Sequence, residues 1–234
     1  MYIGVDKLKI DGEVIEGIFL RESKNRFLCE VIIDNEVCEC YIPSSSRLEN
    51  YINLRNKKIL LLKNKGTNIR TKYSVFAVKY YNKYIILNLS YANKILENEI
   101  IEKRLYTECG NFLREHKIGD YKADFFIEDS AKGIVVEVKG LIDTRKMASF
   151  PTVFSERAIG QLEKIEGLLR EGYKVDYYII SLSPIVKKID INTEQISFFN
   201  LLKACVSKGM RVHALVANMN INQVTIIKND EIFI

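Results

Sequence analysis

The spacing of apolar and polar positions along this chain changes character twice. Between residues 13 and 92 the apolar positions fall in short runs rich in β-branched and aromatic residues: EVIEGIFL, RFLCEVIID, EVCECYI, KKILLLK, YSVFAVKYY and KYIILNLS. Turn formers separate them at Asp34-Asn35, Pro43 to Ser46, Gly66 to Asn68 and Asn82. Short strands at this spacing predict a small closed β unit, and a five-stranded barrel of the oligonucleotide-binding type has the right size. From residue 93 the spacing becomes helical: Ile95, Leu96, Ile100, Ile101 and Leu105 recur every three or four positions. This predicts a helix over 93–118, interrupted at Gly110 and resumed through Phe112 and Leu113.

Residues 121–140, YKADFFIEDSAKGIVVEVKG, return to strand character. Two apolar runs joined by a short polar stretch predict a β-hairpin. Beyond it, an irregular segment ends at Pro151, and Ile159, Leu162, Ile165, Leu168 and Leu169 mark one face of a helix that Gly172 stops. VDYYIISL reads as a buried strand, Thr193 as the N-cap of a helix through Phe198, Leu202 and Cys205 that Gly209 stops, and RVHALVA as another buried strand. QVTIIKNDEIFI is expected to add a terminal hairpin. The whole is a mixed α+β chain: a barrel over 1–92, then a mixed sheet flanked by helices over 93–234.

Charge sharpens the picture more than composition does. The formal net charge is only +5, but residues 51–92 hold nine Lys/Arg and no Asp or Glu, whereas residues 1–50 hold six against ten. Ordinary surfaces mix both signs, so this run predicts a polyanionic partner. Lys72, Lys79 and Lys83 alternate with Tyr73, Tyr80, Tyr81 and Tyr84, a combination that suits nucleic acid. No apolar run reaches the roughly 18–20 residues of a membrane span, and the charged first residues lack a signal-peptide core. A cytoplasmic protein with reduced thiols is expected, since its five cysteines show no paired CxxC spacing.

Candidate chemistry lies in the hairpin. Side chains alternate along a strand, so Glu137 and Lys139 share a face, and the partner strand brings Asp124 within reach. Two charges interrupting an otherwise apolar strand need a reason, either a structural ion pair or a site. Two carboxylates and a lysine suit phosphodiester hydrolysis. A hard cation such as Mg²⁺ or Mn²⁺ needs one or two carboxylates and keeps its waters, with the Val138 carbonyl as a further oxygen donor. Glu115 supplies a third carboxylate from the preceding segment, and Glu156, Arg157 and Gln161 lie on the helix that follows.

Taken in order, RxxKNRFL at 21–28, YIPSSS at 41–46, NIRTKY at 68–73, REHKIG at 114–119, ADF at 123–125, VEVK at 136–139 and FPTVFSER at 150–157 resemble the sugar fermentation stimulation proteins. That resemblance implies an oligonucleotide-binding-type barrel joined to a restriction-endonuclease-like domain of the PD-(D/E)xK superfamily. It also implies DNA binding with little sequence preference, and a divalent-metal site at Glu115, Asp124, Glu137 and Lys139, with a role for the region around Glu156 and Arg157. The chain departs from the family pattern at Ser44 to Leu48, where an Asn-Thr-Gly-Ser-Met run is usual, and at Gly160-Gln161, where Lys-His is usual. The expected function is that of a Mg²⁺-dependent DNA nuclease; the alternative is a regulatory DNA binder that uses the fold as scaffold. The expected DNA contacts are Arg21, Lys24, Arg26, Arg55, Lys57, Lys58, Lys63, Lys65, Arg70, Lys72, Tyr73 and Lys79. Duplex DNA, single-stranded DNA and RNA all stay open as targets, and a homodimer stays open as an assembly.

Overall fold

The computed structural model describes residues 8–44, 46–66, 69–108, 110–129, 132–220, 223–228 and 232–233. Ser45, Thr67, Asn68, Cys109 and the Ser130-Ala131 centre of the hairpin turn lie outside the described residues.

Alternation of buried and exposed side chains marks β1 (Val14–Glu22), β2 (Leu28–Ile33) and β3 (Glu36–Tyr41), whereas β4 (Lys58–Lys63) and β5 (Tyr73–Tyr80) carry runs of buried residues. They pair in the order β3-β2-β1-β4-β5, and a parallel contact between Tyr41 and Ser74 closes the barrel. Strand β6 (Lys83–Ile86) hairpins back from β5 and then leaves the barrel. The chain next forms α1 (Tyr91–Ile101), β7 (Phe112–Arg114), β8 (Phe125–Ile127), β9 (Ile134–Leu141), β10 (Met147–Phe150) and α2 (Glu156–Arg170). It ends with β11 (Lys174–Ser181), β12 (Lys188–Ile191), α3 (Ile196–Ser207), β13 (Arg211–Asn220) and β14 (Gln223–Lys228).

Strands β9, β11 and β13 are parallel and form the centre of the second sheet, with β8 and β7 antiparallel on one edge and β14 antiparallel beyond β13. Such a sheet is buried on both faces, which matches the near-continuous apolar sequence of its strands. On one face α2 and α3 cover Val135, Leu141, Tyr177 and Ile179. The other face packs Val136, Val138, Tyr178 and Leu215 against α1 and the barrel interior in one continuous core. Met219 of β13 pairs with Tyr84 of β6, so barrel and second sheet belong to one 13-stranded sheet.

Four local expectations change. The helical spacing ends at Ile101, and Phe112–Arg114 is a strand pairing with Phe125–Ile127. A three-residue strand is too short to show a period of two, so its two apolar residues read as a helical continuation. The segment before Pro151 is not irregular: Met147–Phe150 pairs in parallel with Lys188–Ile191, a short strand the sequence did not announce. Helix α3 begins at Ile196, and the residue before it is Gln195, with no side-chain cap, so Thr193 is not its N-cap. Gln223–Lys228 does fold back on β13, but Ile232–Phe233 leaves to pair with β12. Among the described residues no helix is long and apolar enough to cross a membrane.

Candidate metal centre

The site begins with the register of the β8–β9 hairpin. Phe125 pairs with Val136, so one step further the strands part and Asp124 stands opposite Glu137. There the Asp124 carboxylate takes the place of a strand: its Oδ2 accepts the Val138 amide hydrogen at 2.8 Å. A strand residue directs its N–H and C=O to the same edge, so the Val138 carbonyl also faces this opening. Asp124 Oδ1 accepts from Asn93 Nδ2 of α1 at 2.9 Å.

Glu137 is only 2 % exposed, and a carboxylate at that depth survives only with partners on both oxygens. Oε1 accepts from Lys139 Nζ and from Gln161 Nε2 of α2, and Oε2 accepts from the Tyr121 hydroxyl. Lys139 also donates to Gln161 Oε1 at 2.8 Å, so glutamate, lysine and glutamine close a ring. Burial pushes the Glu137 carboxyl above the usual range, Lys139 pulls it down, and the Asp124 carboxylate pushes it up again. Burial and the neighbouring Glu137 carboxylate push the Tyr121 hydroxyl far up, which keeps it a proton donor. Tyr177 lies beside Glu137 in the β9–β11 register, fully buried, and its hydroxyl has no hydrogen-bond partner among the described residues.

A cleft of about 490 Å³ opens above this ring, lined by Asp124, Glu137, Lys139, Phe154, Arg157 and Gln161 and, from the barrel side, by Arg26, Ser46 and Tyr51. Arg157 and Gln161 stand one turn apart on α2, whose first turn Ser155 caps by accepting from the Ala158 amide. Glu156 is exposed and does not line the cleft. Glu115 is on no helix: it sits at the corner after β7 with φ 49°, exposed and 2.8 Å from Lys122. It lines a neighbouring groove of about 430 Å³, which shares Asp124, Arg157 and Gln161 with the cleft. Among the described residues no three acid, His or Cys side chains come together as a ready metal cage.

The donors nonetheless suit a hard divalent cation. Asp124 keeps a lone pair on each oxygen after its two hydrogen bonds, Glu137 Oε2 keeps one, and the Val138 carbonyl adds a neutral oxygen. Magnesium and manganese use such small oxygen sets and fill the remainder with water.

The expected DNA contacts divide into two groups. Arg21 pairs with Glu30, Lys63 with Glu13, Lys65 with Asp11, Arg70 with Glu39 and, at 4.0 Å, Lys58 with Glu16. The acid-rich first segment therefore neutralises much of the basic run across the β1–β4 pairing and at the β3 edge. Lys24, Arg26, Arg55, Lys57, Lys72 and Lys79 form no ion pair among the described residues; Lys57 lies over the Tyr80 ring and Lys72 over Tyr73. Tyr81 at the tip of the β5–β6 hairpin is 85 % exposed.

Tyr121 and Asn93 are the positioning residues that the sequence did not reveal. Each meets its carboxylate from a distant part of the chain and belongs to no readable motif. A second polar cluster, Asp176 with Tyr106, Arg211 and His213, lies on the opposite face of the sheet. Burial works to raise the Asp176 carboxyl, but hydrogen bonds from His213, Arg211 and Tyr106 outweigh it and hold the group below its usual range. It ties the segment after α1 to β11 and takes no part in the cleft.

A closed oligonucleotide-binding-type barrel, joined to a restriction-endonuclease-like sheet with paired carboxylates at a hairpin fork, defines a two-part class of protein. Two family models match: an SfsA N-terminal OB domain over residues 22–87 and a sugar fermentation stimulation protein RE domain over 90–223. The chain belongs to the sugar fermentation stimulation protein (SfsA) family. It is 27% identical to the homolog from Thermosipho melanesiensis over 92% of each chain, and 24% identical to that from Clostridium beijerinckii over 87% of this chain and 90% of the other. The structure of Pyrococcus furiosus SfsA in complex with Ca²⁺ superposes with a TM-score of 0.85 over 98% of this chain and 100% of that one, at 24% identity.

Proposed function

We propose that this protein is a divalent-metal-dependent phosphodiesterase acting on DNA. The observation that carries the reading is the convergence of Asp124, Glu137 and the Val138 backbone edge at one fork, with Lys139 held against Glu137 by Gln161. A relative of the same fold has been solved with Ca²⁺, a cation of the same oxygen-ligand class.

Asp124, Glu137 and the Val138 carbonyl would hold the cation. When bound, Mg²⁺ or Mn²⁺ supplies a Lewis acid for a non-bridging phosphate oxygen and lowers the pKa of a water. The chain's own residues do the rest. Tyr121 fixes Glu137 Oε2 and Asn93 fixes Asp124 Oδ1, so neither carboxylate has to reorganise when charge builds up. Lys139 gives two of its ammonium hydrogens to Glu137 and Gln161 and has a third left to stabilise charge on the phosphate. Gln161 orients that ammonium through Oε1 and the Glu137 carboxylate through Nε2. Arg157, one turn away and with no carboxylate partner among the described residues, holds an adjacent phosphate.

The test is breakdown of single-stranded DNA with Mg²⁺ or Mn²⁺, comparing wild type with Glu137→Ala and Lys139→Ala. Metal-dependent cleavage that falls at least a hundredfold in both variants is expected. Cleavage that survives Glu137→Ala unchanged would reject the assignment.

A further inference from the structure

Outside the ring of polar groups at its floor, the cleft has features the hydrolytic chemistry does not use. Phe154, the residue before the α2 N-cap, is 61 % exposed at the rim. The opposite wall comes from the barrel, where the exposed Arg26 lies with its guanidinium 4.8 Å from the Phe27 ring centre. Neither Arg26 nor Arg157 is paired with a carboxylate among the described residues. Among the described residues, one cation without a carboxylate partner thus stands on each wall of a cleft that also carries an exposed aromatic ring.

We infer that this cleft takes a single, unpaired strand, with a base laid on Phe154 and the flanking phosphates held by Arg157 and Arg26. The inference deepens the phosphodiesterase reading and rests on it for where the strand leads. Three arguments support it. An aromatic ring stacks only on a base whose face is free, and in a duplex both faces are covered by neighbouring bases. Glu137 lies at the bottom, 2 % exposed, so a phosphate must descend between two walls to reach it. A cleft of about 490 Å³ has the size of a small-ligand pocket, which a nucleotide or two would fill. The barrel wall therefore acts as a sieve: unpaired ends, gaps and flaps enter, and continuous duplex is confined to the outer surface.

Binding is measured in EDTA, so that cleavage does not enter. The chain has no tryptophan, and Phe154→Trp therefore provides a single reporter at the proposed stacking position. Its emission is expected to fall on adding an oligothymidylate of about twelve nucleotides and to stay constant on adding a blunt duplex of that length. By fluorescence anisotropy of labelled DNA, Phe154→Ala is expected to bind the single strand about tenfold more weakly, Phe154→Trp as tightly as wild type, and both to keep wild-type duplex affinity. A tryptophan that the single strand leaves unquenched, or a Phe154→Ala variant that loses nothing or loses both DNA forms equally, overturns the inference. Circular dichroism of Phe154→Ala confirms that the fold is kept, as expected for an exposed side chain. Failure of wild type to cleave with Mg²⁺ or Mn²⁺ counts against the phosphodiesterase reading alone, and failure of these binding contrasts counts against the single-strand inference alone.

Discussion

Glu137 is a charge placed where the fold would otherwise put an apolar residue. The hydrogen bonds of Tyr121, Lys139 and Gln161 offset part of its desolvation, and its carboxyl still holds a proton above the usual carboxylate range. A group raised in this way favours the folded state below the unfolded carboxylate value of about 4.3, and that contribution is lost as pH rises through its folded value. A bound cation must displace the same proton. The apparent affinity for Mn²⁺, measured by titration calorimetry, is therefore expected to fall as pH drops from about 8 to about 5, earlier than for ordinary carboxylates. A flat profile would exclude Glu137 as a ligand. Glu137 and Lys139 stood out in the sequence because they break an apolar strand, and Asp124 because the hairpin could bring its strand alongside. Tyr121 and Asn93 did not, since they reach their carboxylates across 16 and 31 positions of sequence. Only the folded chain reveals that pairing.

At the scale of elements, the hairpin is the part that brings the two carboxylates together. Gly133 opens β9 with φ +87°, and a Cβ there would lie 2.2 Å from the Phe126 ring. Gly133→Ala is expected to cost at least about 2 kcal/mol in urea unfolding, through backbone strain and the displaced ring together. It should weaken Mn²⁺ binding as well, because the displaced β8 carries Asp124 with it; unchanged stability and metal affinity would show that the hairpin register is set elsewhere. The hairpin was readable from the eight-residue β9 and the polar stretch before it, and α2 from fifteen residues that show a helical period. The strand at Phe112–Arg114 was not: with three residues, its pairing with β8 decides its state, and the sequence shows only two adjacent apolar residues. Glu115 was misplaced with it, expected on a helix and found at a left-handed corner.

At the scale of the molecule, barrel and second sheet are joined by the Tyr84–Met219 pairing and by a core that runs from Phe76 and Ile85 through α1 to Val136 and Leu215. Gly140 of β9 packs so closely on this junction that an added Cβ would lie 3.0 Å from Leu89. Two folding units with a common core are expected to melt together. Scanning calorimetry should show one transition whose calorimetric and van't Hoff enthalpies agree, and two resolved transitions would mean that the junction is weaker than its packing. The sequence showed both halves but not their union, because a period seen in one strand carries no information about which distant strand lies beside it.

The ion pairs across β1 and β4 carry a consequence for how the protein grips a polyanion. Of the nine cations between residues 51 and 92, four are engaged by Glu13, Asp11, Glu39 and Glu16, which leaves five with no ion pair among the described residues. Only uncommitted cations expel condensed ions from DNA without first surrendering a partner of their own. A plot of log affinity against log salt should then descend with a slope for this segment no steeper than about −4.5, against about −8 if all nine took part. Carboxylates at Asp11, Glu13, Glu16 and Glu39 thereby act as a built-in competitor for the nucleic acid, and converting them to amides should steepen that line.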